Sequence, residues 1–228
     1  MSSQIRIGRL RHVFRSDQGE VLDAQIARLC VLYEDLRIEM MGIAKDLPAL
    51  DILDSATDHP YRPEMVGNYR YFYFMRRSIA TISEFASALR LLDENPSFSV
   101  VSSAFEEYSK ATWASAIAFF DKKREMLIRS IRNDIGGHFG QQAALESLSR
   151  LGEHATGKME LVTTGDATDI RLHFAGEIAV TALLRHLEDG DINNFKRVLN
   201  DTVVEGYRHA TRCVQVLCGV WVWQRFGR

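Results

Sequence analysis

A chain of 228 residues, 46% hydrophobic and 25% charged, has the composition of a globular protein long enough to bury a core without metals or disulfides. Its formal net charge of −2 excludes a protein that coats nucleic acid or membrane through a general positive excess, and leaves room only for local basic sites. Three cysteines with no CxxC pair exclude a disulfide framework, and Cys30, Cys213 and Cys218 fall inside apolar helical patterns, where they read as core residues, with a reactive thiol as the alternative.

The N-terminal arm, residues 1–18, carries Arg6, Arg9, Arg11 and Arg15 with no acid before Asp17. Four arginines suit either a phosphate-contacting arm or a solvated tail, and the scarcity of aromatic stacking partners favours the tail. The same arginines interrupt any signal-peptide core. The most apolar run, CVQVLCGVWVW, is about ten residues where a membrane span needs roughly twenty. The expectation is a cytoplasmic protein without membrane contact.

Helical periodicity dominates the chain beyond the arm. Leu22, Ile26, Leu29, Tyr33, Leu36, Met40 and Ile43 recur at alternating steps of four and three, which keeps them on one stripe of a helix. Then LPALDILDSATDHPYRP breaks the pattern with three of the four prolines. A second stripe runs Phe72, Met75, Ile79, Ile82, Ala86, Leu89 and ends at DENPSFS, where Pro96 and the neighbouring Ser and Asn residues offer a helix cap. A third runs Trp113, Ile117, Phe120, Arg124, Leu127, Ile131. A fourth, near the C-terminus, runs Val203, Tyr207, Ala210, Val214, Leu217, Trp221. Four such seams predict a mostly all-α protein, an antiparallel bundle of four to six helices.

Between the third and fourth stripes, KMELVTTGDATDIRLHF alternates apolar residues (Met159, Leu161, then Ile170, Leu172, Phe174) about a turn at Gly165 and Asp166. That is the pattern of a small β-hairpin, with an irregular loop as the alternative; a hairpin there should lie against the helices, because alone it is marginal. The whole reads as a single domain over 1–228: the arm 1–18, a bundle over 19–153, the hairpin over 158–174 and C-terminal helices over 175–228.

The stretch RNDIGGH, residues 132–138, is the most suggestive in the chain. Gly136 and Gly137 disfavour continuation of a helix, so the third helix should end near Ile135. On an unbroken helix, Arg132 and His138 would stand about 240° apart. A break at the glycines releases them to face one another. The plain alternative is helix-end chemistry, in which Arg132 and Asn133 bond the last carbonyls and His138 caps or starts the next helix. Spacing by itself does not discriminate, since Arg6 and His12 repeat it; what sets Arg132 apart is the Asn that comes after it and its place at the end of a long amphipathic helix.

Arg, a polar residue directly after it, and a His a few residues on, within a bundle of long antiparallel helices, resembles the signature of the HEPN superfamily (higher eukaryotes and prokaryotes nucleotide-binding domains). The matching positions are Arg132, Asn133 and His138, and the resemblance covers roughly residues 19–153. The chain departs from the pattern in being longer than a minimal member and in its Gly-Gly pair. The resemblance implies a metal-independent endoribonuclease or RNA-binding protein of a toxin or defence type, with no cofactor, RNA as its target, a homodimer sharing the site, and a neutralising, antitoxin-like protein partner. In that chemistry a ribose 2′-hydroxyl attacks the adjacent phosphate, His138 moves the proton, Arg132 holds the phosphate oxygens and Asn133 orients a hydroxyl or the ring. Lys122, Lys123, Arg124 and Arg129 would steer RNA, partly offset by Asp121, Glu125 and Asp134.

The rival reading is a non-catalytic helical interaction or scaffold protein. It draws on Tyr69, Tyr71, Phe72, Tyr73 and Phe74 as a core or partner face, and on Trp221 and Trp223 as residues buried in the bundle or against another chain. Asp51, Asp54, Asp58 and His59 lack metal-loop spacing and read as a solvated loop. No metal site is expected: there is no HExxH, and no GxxxxGK[ST] phosphate loop either.

Overall fold

The computed structural model describes residues 20–46, 64–123, 141–150, 159–164, 167–172 and 200–226, with the single position 178. In chain order these form α1 (Glu20–Asp46), α2 (Glu64–Asp93), a short α3 (Phe98–Ser103), α4 (Glu107–Lys123), α5 (Gln141–Arg150), strands β1 (Met159–Thr164) and β2 (Ala167–Leu172), and α6 (Glu205–Phe226), which is preceded by one π-helical turn (Asn200–Val204). The protein is mostly helical.

Cross-helix contacts give the directions. From one end of α1 to the other, Gln25 hydrogen-bonds the Leu91 carbonyl and the Asn95 amide, Arg28 meets Glu84, Glu39 meets Thr81, and Gly42 lies against Phe74, so α1 and α2 run antiparallel. α4 returns antiparallel to α2: Trp113 Nε1 donates to Asp93 near the end of α2, while the Phe120 ring packs 5.7 Å from Phe85. α6 descends beside α4, with His209 stacked on Phe119 at 4.5 Å, and beside α1, with Tyr207 parallel to Tyr33 at 6.3 Å. Among the described residues the result is four long helices in up-and-down order around one core, the packing that four amphipathic stripes require.

The stripes are buried much as their spacing demands. Leu22, Ile26, Leu29, Leu36 and Ile43 on α1, Met75, Ile79, Ile82, Ala86 and Leu89 on α2, Trp113 and Phe120 on α4, and Ala210, Val214, Leu217 and Trp221 on α6 are all in the core, as is Val203 in the π turn. α2 is buried over a wider arc than its stripe: Ser78, Phe85, Ala88 and Leu92 are buried too, because this helix touches α1, α4 and α6. Fully burying a Phe or Leu side chain contributes roughly 1.5–3 kcal/mol, so Phe85, Leu89 and Leu92 make α2 the axis of the core.

One expectation needs correction and two gain detail. The linker DENPSFS, which separates the second stripe from the third, opens α3, whose Phe98 and Val101 are buried and whose Phe98 ring sits 5.0 Å from Trp113. Of the Ser and Asn cap candidates, Ser97 stands at the N-cap position without a side-chain bond to the helix, while Asn95 Oδ1 accepts from the Ser97 amide at 2.9 Å, the local Asx turn that asparagine favours. β1 and β2 pair antiparallel with Met159 opposite Leu172 and Leu161 opposite Ile170. These four side chains share one face and all are exposed, so the strand pair does not bury its apolar alternation against the helices.

Candidate functional site

Arg132, Asn133 and His138 lie outside the described residues, as do the arm arginines Arg6, Arg9, Arg11 and Arg15, the acidic segment from Asp51 to His59, and Arg124 and Arg129. What the structure describes is the approach to the RNDIGGH stretch. α4 ends at Lys123, with Asp121 and Lys122 exposed and Asp121 accepting from Arg90 at 2.7 Å. Asp121 is thus taken up by Arg90, which leaves less of its charge to offset Lys122 beside it. Phe119 and Phe120 bind the last described turns of α4 to α2 and α6.

Two hollows flank α4. A groove of about 500 Å³ opens between its first turns and α6, lined among others by Tyr108, Ser109, Thr112, Arg212, Gln215 and Gly219. It carries one guanidinium, the Glu106 carboxylate, several hydroxyls and an amide, and Tyr108 stands 76% exposed at its rim. The second hollow lies between the end of α2, α3 and α4, with Asp93, Lys110, Trp113 and Asp121 on its walls. The α6 groove sits about 20 Å along α4 from Lys123, at a rise of 1.5 Å per residue, and so is remote from the end that leads into RNDIGGH. Among the described residues no group of His, Cys, Asp and Glu is placed to hold a metal ion.

No family model, curated protein or solved structure matches this chain.

The most unusual described group is one that the sequence pattern missed. Glu39 on α1 is only 6% exposed; Thr81 Oγ1 donates to its Oε1 at 2.9 Å, and Arg77 Nε is 3.8 Å from the same oxygen. Its Oε2 has no hydrogen-bond partner among the described residues. Burial pushes the carboxyl up to about 7, against the pull of Thr81 and Arg77. The stripe Leu36, Met40, Ile43 passes one residue beside it: Met40 is half-buried while Glu39 takes the interior position. The signal was in the spacing, because Glu39 stands three residues after Leu36 and four before Ile43. Glu39 opens onto neither hollow, so its consequence is for stability rather than for chemistry on a ligand.

The aromatic run divides by helical geometry. Tyr71 is buried and its phenol pushed up to about 12 by burial, Phe74 is half-buried against Gly42, and Tyr73 is 42% exposed with its ring 5.4 Å from Phe74. Trp221 is buried within the chain itself. His209 is the one imidazole among the described residues; burial, and next to it Arg212, lower its pKa, so it favours the neutral form beneath Phe119. No described helix is long and apolar enough to cross a membrane.

Proposed function

We propose that the chain is a HEPN-like protein that binds and cleaves RNA without a metal ion, using Arg132, Asn133 and His138. His138 takes the proton of the attacking 2′-hydroxyl or returns one to the leaving oxygen. Arg132 holds two phosphate oxygens in its fork, and Asn133 orients the imidazole or the hydroxyl. The observation that carries the reading is the RNDIGGH stretch itself, which comes after α4 at the end of a packed run of long antiparallel helices, the framework in which that combination of residues resembles the superfamily. A homodimer would bring two such sets together, and a toxin-like activity would call for a neutralising protein partner.

The test is RNA cleavage in the presence of a chelator. The wild type is expected to cut, leaving cyclic phosphate ends, and His138→Ala to lose at least about 100-fold in rate, the usual scale of a general acid or base. Equal cutting by both proteins, or none by either over a broad set of RNAs, removes the reading.

A second reading, a non-catalytic interaction protein, is favoured by one observation. Exposed apolar side chains gather on the face of the strand pair bearing Met159, Leu161, Ile170 and Leu172, and Leu145 and Leu148 are exposed on α5. Contiguous apolar surface of this kind marks contact sites more often than bare surface does. Aspartate at Leu161 and Ile170 should then abolish self-association in sedimentation experiments; unchanged sedimentation would reject that face as a contact between copies.

A further inference from the structure

α1 and α6 each carry a cysteine at the edge of their shared seam. Leu29, directly before Cys30, and Leu217, directly before Cys218, are both fully buried, while Val31 and Gly219, directly after them, are exposed. The two helices are therefore rotated so that each thiol sits at the boundary between core and solvent. The Tyr33 and Tyr207 rings, parallel within 2° and 6.3 Å apart, pack the same two helices together. Cys30 and Cys218 are both half-buried and both free, and their thiols are close enough to perturb one another's ionisation.

We propose that Cys30 and Cys218 form a dithiol site that reacts with low-molecular-weight disulfides and closes into an intramolecular bond tying α1 to α6. The order of events comes from the pair's asymmetry. Gly219, directly after Cys218, has open space where a side chain would stand, so a small disulfide reaches Cys218 before Cys30, and the two thiols titrate together as a pair. Its sulfur displaces one half of the small disulfide, breaking that S–S bond and releasing a thiolate that takes up the proton Cys218 gave up. Cys30 then loses its proton and attacks the Cys218 sulfur of the mixed disulfide. The second half departs as a thiol carrying that proton. The protein dithiol is oxidised by two electrons and one small disulfide becomes two thiols.

Closure brings the two sulfurs to a bond of about 2.05 Å and so fixes α1 against α6 at this point of their seam. The bond would close a loop holding nearly the whole bundle, where a cross-link restricts the unfolded chain most. Cys213, just over one turn earlier on α6, takes no part: it is fully buried, and burial pushes its thiol up to about 12.

The full-length protein is incubated with glutathione disulfide, quenched with N-ethylmaleimide and peptide-mapped by mass spectrometry. A cross-linked Cys30–Cys218 peptide is expected, with Cys213 alkylated only after denaturation. The melting midpoint should rise by about 5–15 °C and fall back on adding dithiothreitol. Cys30→Ser should stop at a glutathione adduct on Cys218, and Cys218→Ser should remain unmodified. A stable adduct on wild-type Cys218, an unreacted pair, or a bond involving Cys213 overturns the proposal. Mapping of the wild type alone decides the matter should either variant fold poorly, and no result depends on RNA.

Discussion

Replacing Glu39 with glutamine should stabilise the protein at pH 8 and leave it unchanged near pH 4. The carboxyl is buried between α1 and α2, and its pKa is about 7 in the folded protein against 4.5 in an ordinary carboxyl. A folded-state pKa raised in an acid means that the folded protein holds the proton more tightly, so the group costs nothing below about 4.5, costs progressively more as pH rises towards 7, and reaches its full cost above 7. At 1.36 kcal/mol per pKa unit, the full cost is of order 3 kcal/mol. Glutamine keeps the size and the bond from Thr81 but brings an amide N–H2 without an assured partner and gives up the long contact to Arg77, so the net gain at pH 8 should be about 1–3 kcal/mol. For a chain of this length that is about 2–12 °C in melting midpoint. Urea melts of wild type and Glu39→Gln at pH 4, 6 and 8 test it: the difference between them should grow with pH over this range. A constant difference, or a variant that is less stable at pH 8, would show that the carboxylate is accommodated by contacts other than Thr81 and Arg77.

Three other expectations come from packing and from the site. Gly42→Ala should destabilise by about 1–3 kcal/mol in thermal melts although alanine is the better helix former, because its Cβ would stand 2.5 Å from the Phe74 ring; combining it with Phe74→Leu should recover part of the loss. Phe85→Ala should cost about 3–5 kcal/mol by denaturant titration, since Phe85 is fully buried and packs on Phe120; a loss under 1 kcal/mol would mean that the core closes over the cavity. Arg132→Lys should lower RNA cleavage markedly while leaving the melting midpoint within about 2 °C, because lysine keeps the charge and loses the fork.

Much of the framework was legible in the residue spacing, for a physical reason. Each long helix buries a stripe against its neighbours, and steps of three and four are the only spacing that keeps Leu22, Ile26, Leu29 and Leu36 on one side. Where the reading fell short, the cause lay in how many neighbours an element has. α2 touches α1, α3, α4, α6 and the π turn, so residues off its stripe, such as Phe85 and Leu92, are buried as deeply as those on it. α3 is too short to show a period, and Asn95 formed a local turn ahead of it that competes with a serine cap. Met159, Leu161, Ile170 and Leu172 alternate as a half-buried strand should, yet all are exposed, since alternation specifies a shared face but not what covers it. The pairing of Cys30 with Cys218 depends on which helices face each other, which no single stripe encodes, whereas Glu39 stands at stripe spacing and only its polarity hides it in an apolar pattern. Of the RNDIGGH site, the described residues reach only the start of the approach, at the end of α4.

The most direct measurement of the central claim is a double-mutant cycle on RNA cleavage in chelator, comparing wild type, Arg132→Ala, His138→Ala and the double variant. If the guanidinium and the imidazole act as one site on one phosphate, each single variant should lose nearly as much rate as the double. Losses that simply add, or single variants that cut at the wild-type rate, would contradict a shared site.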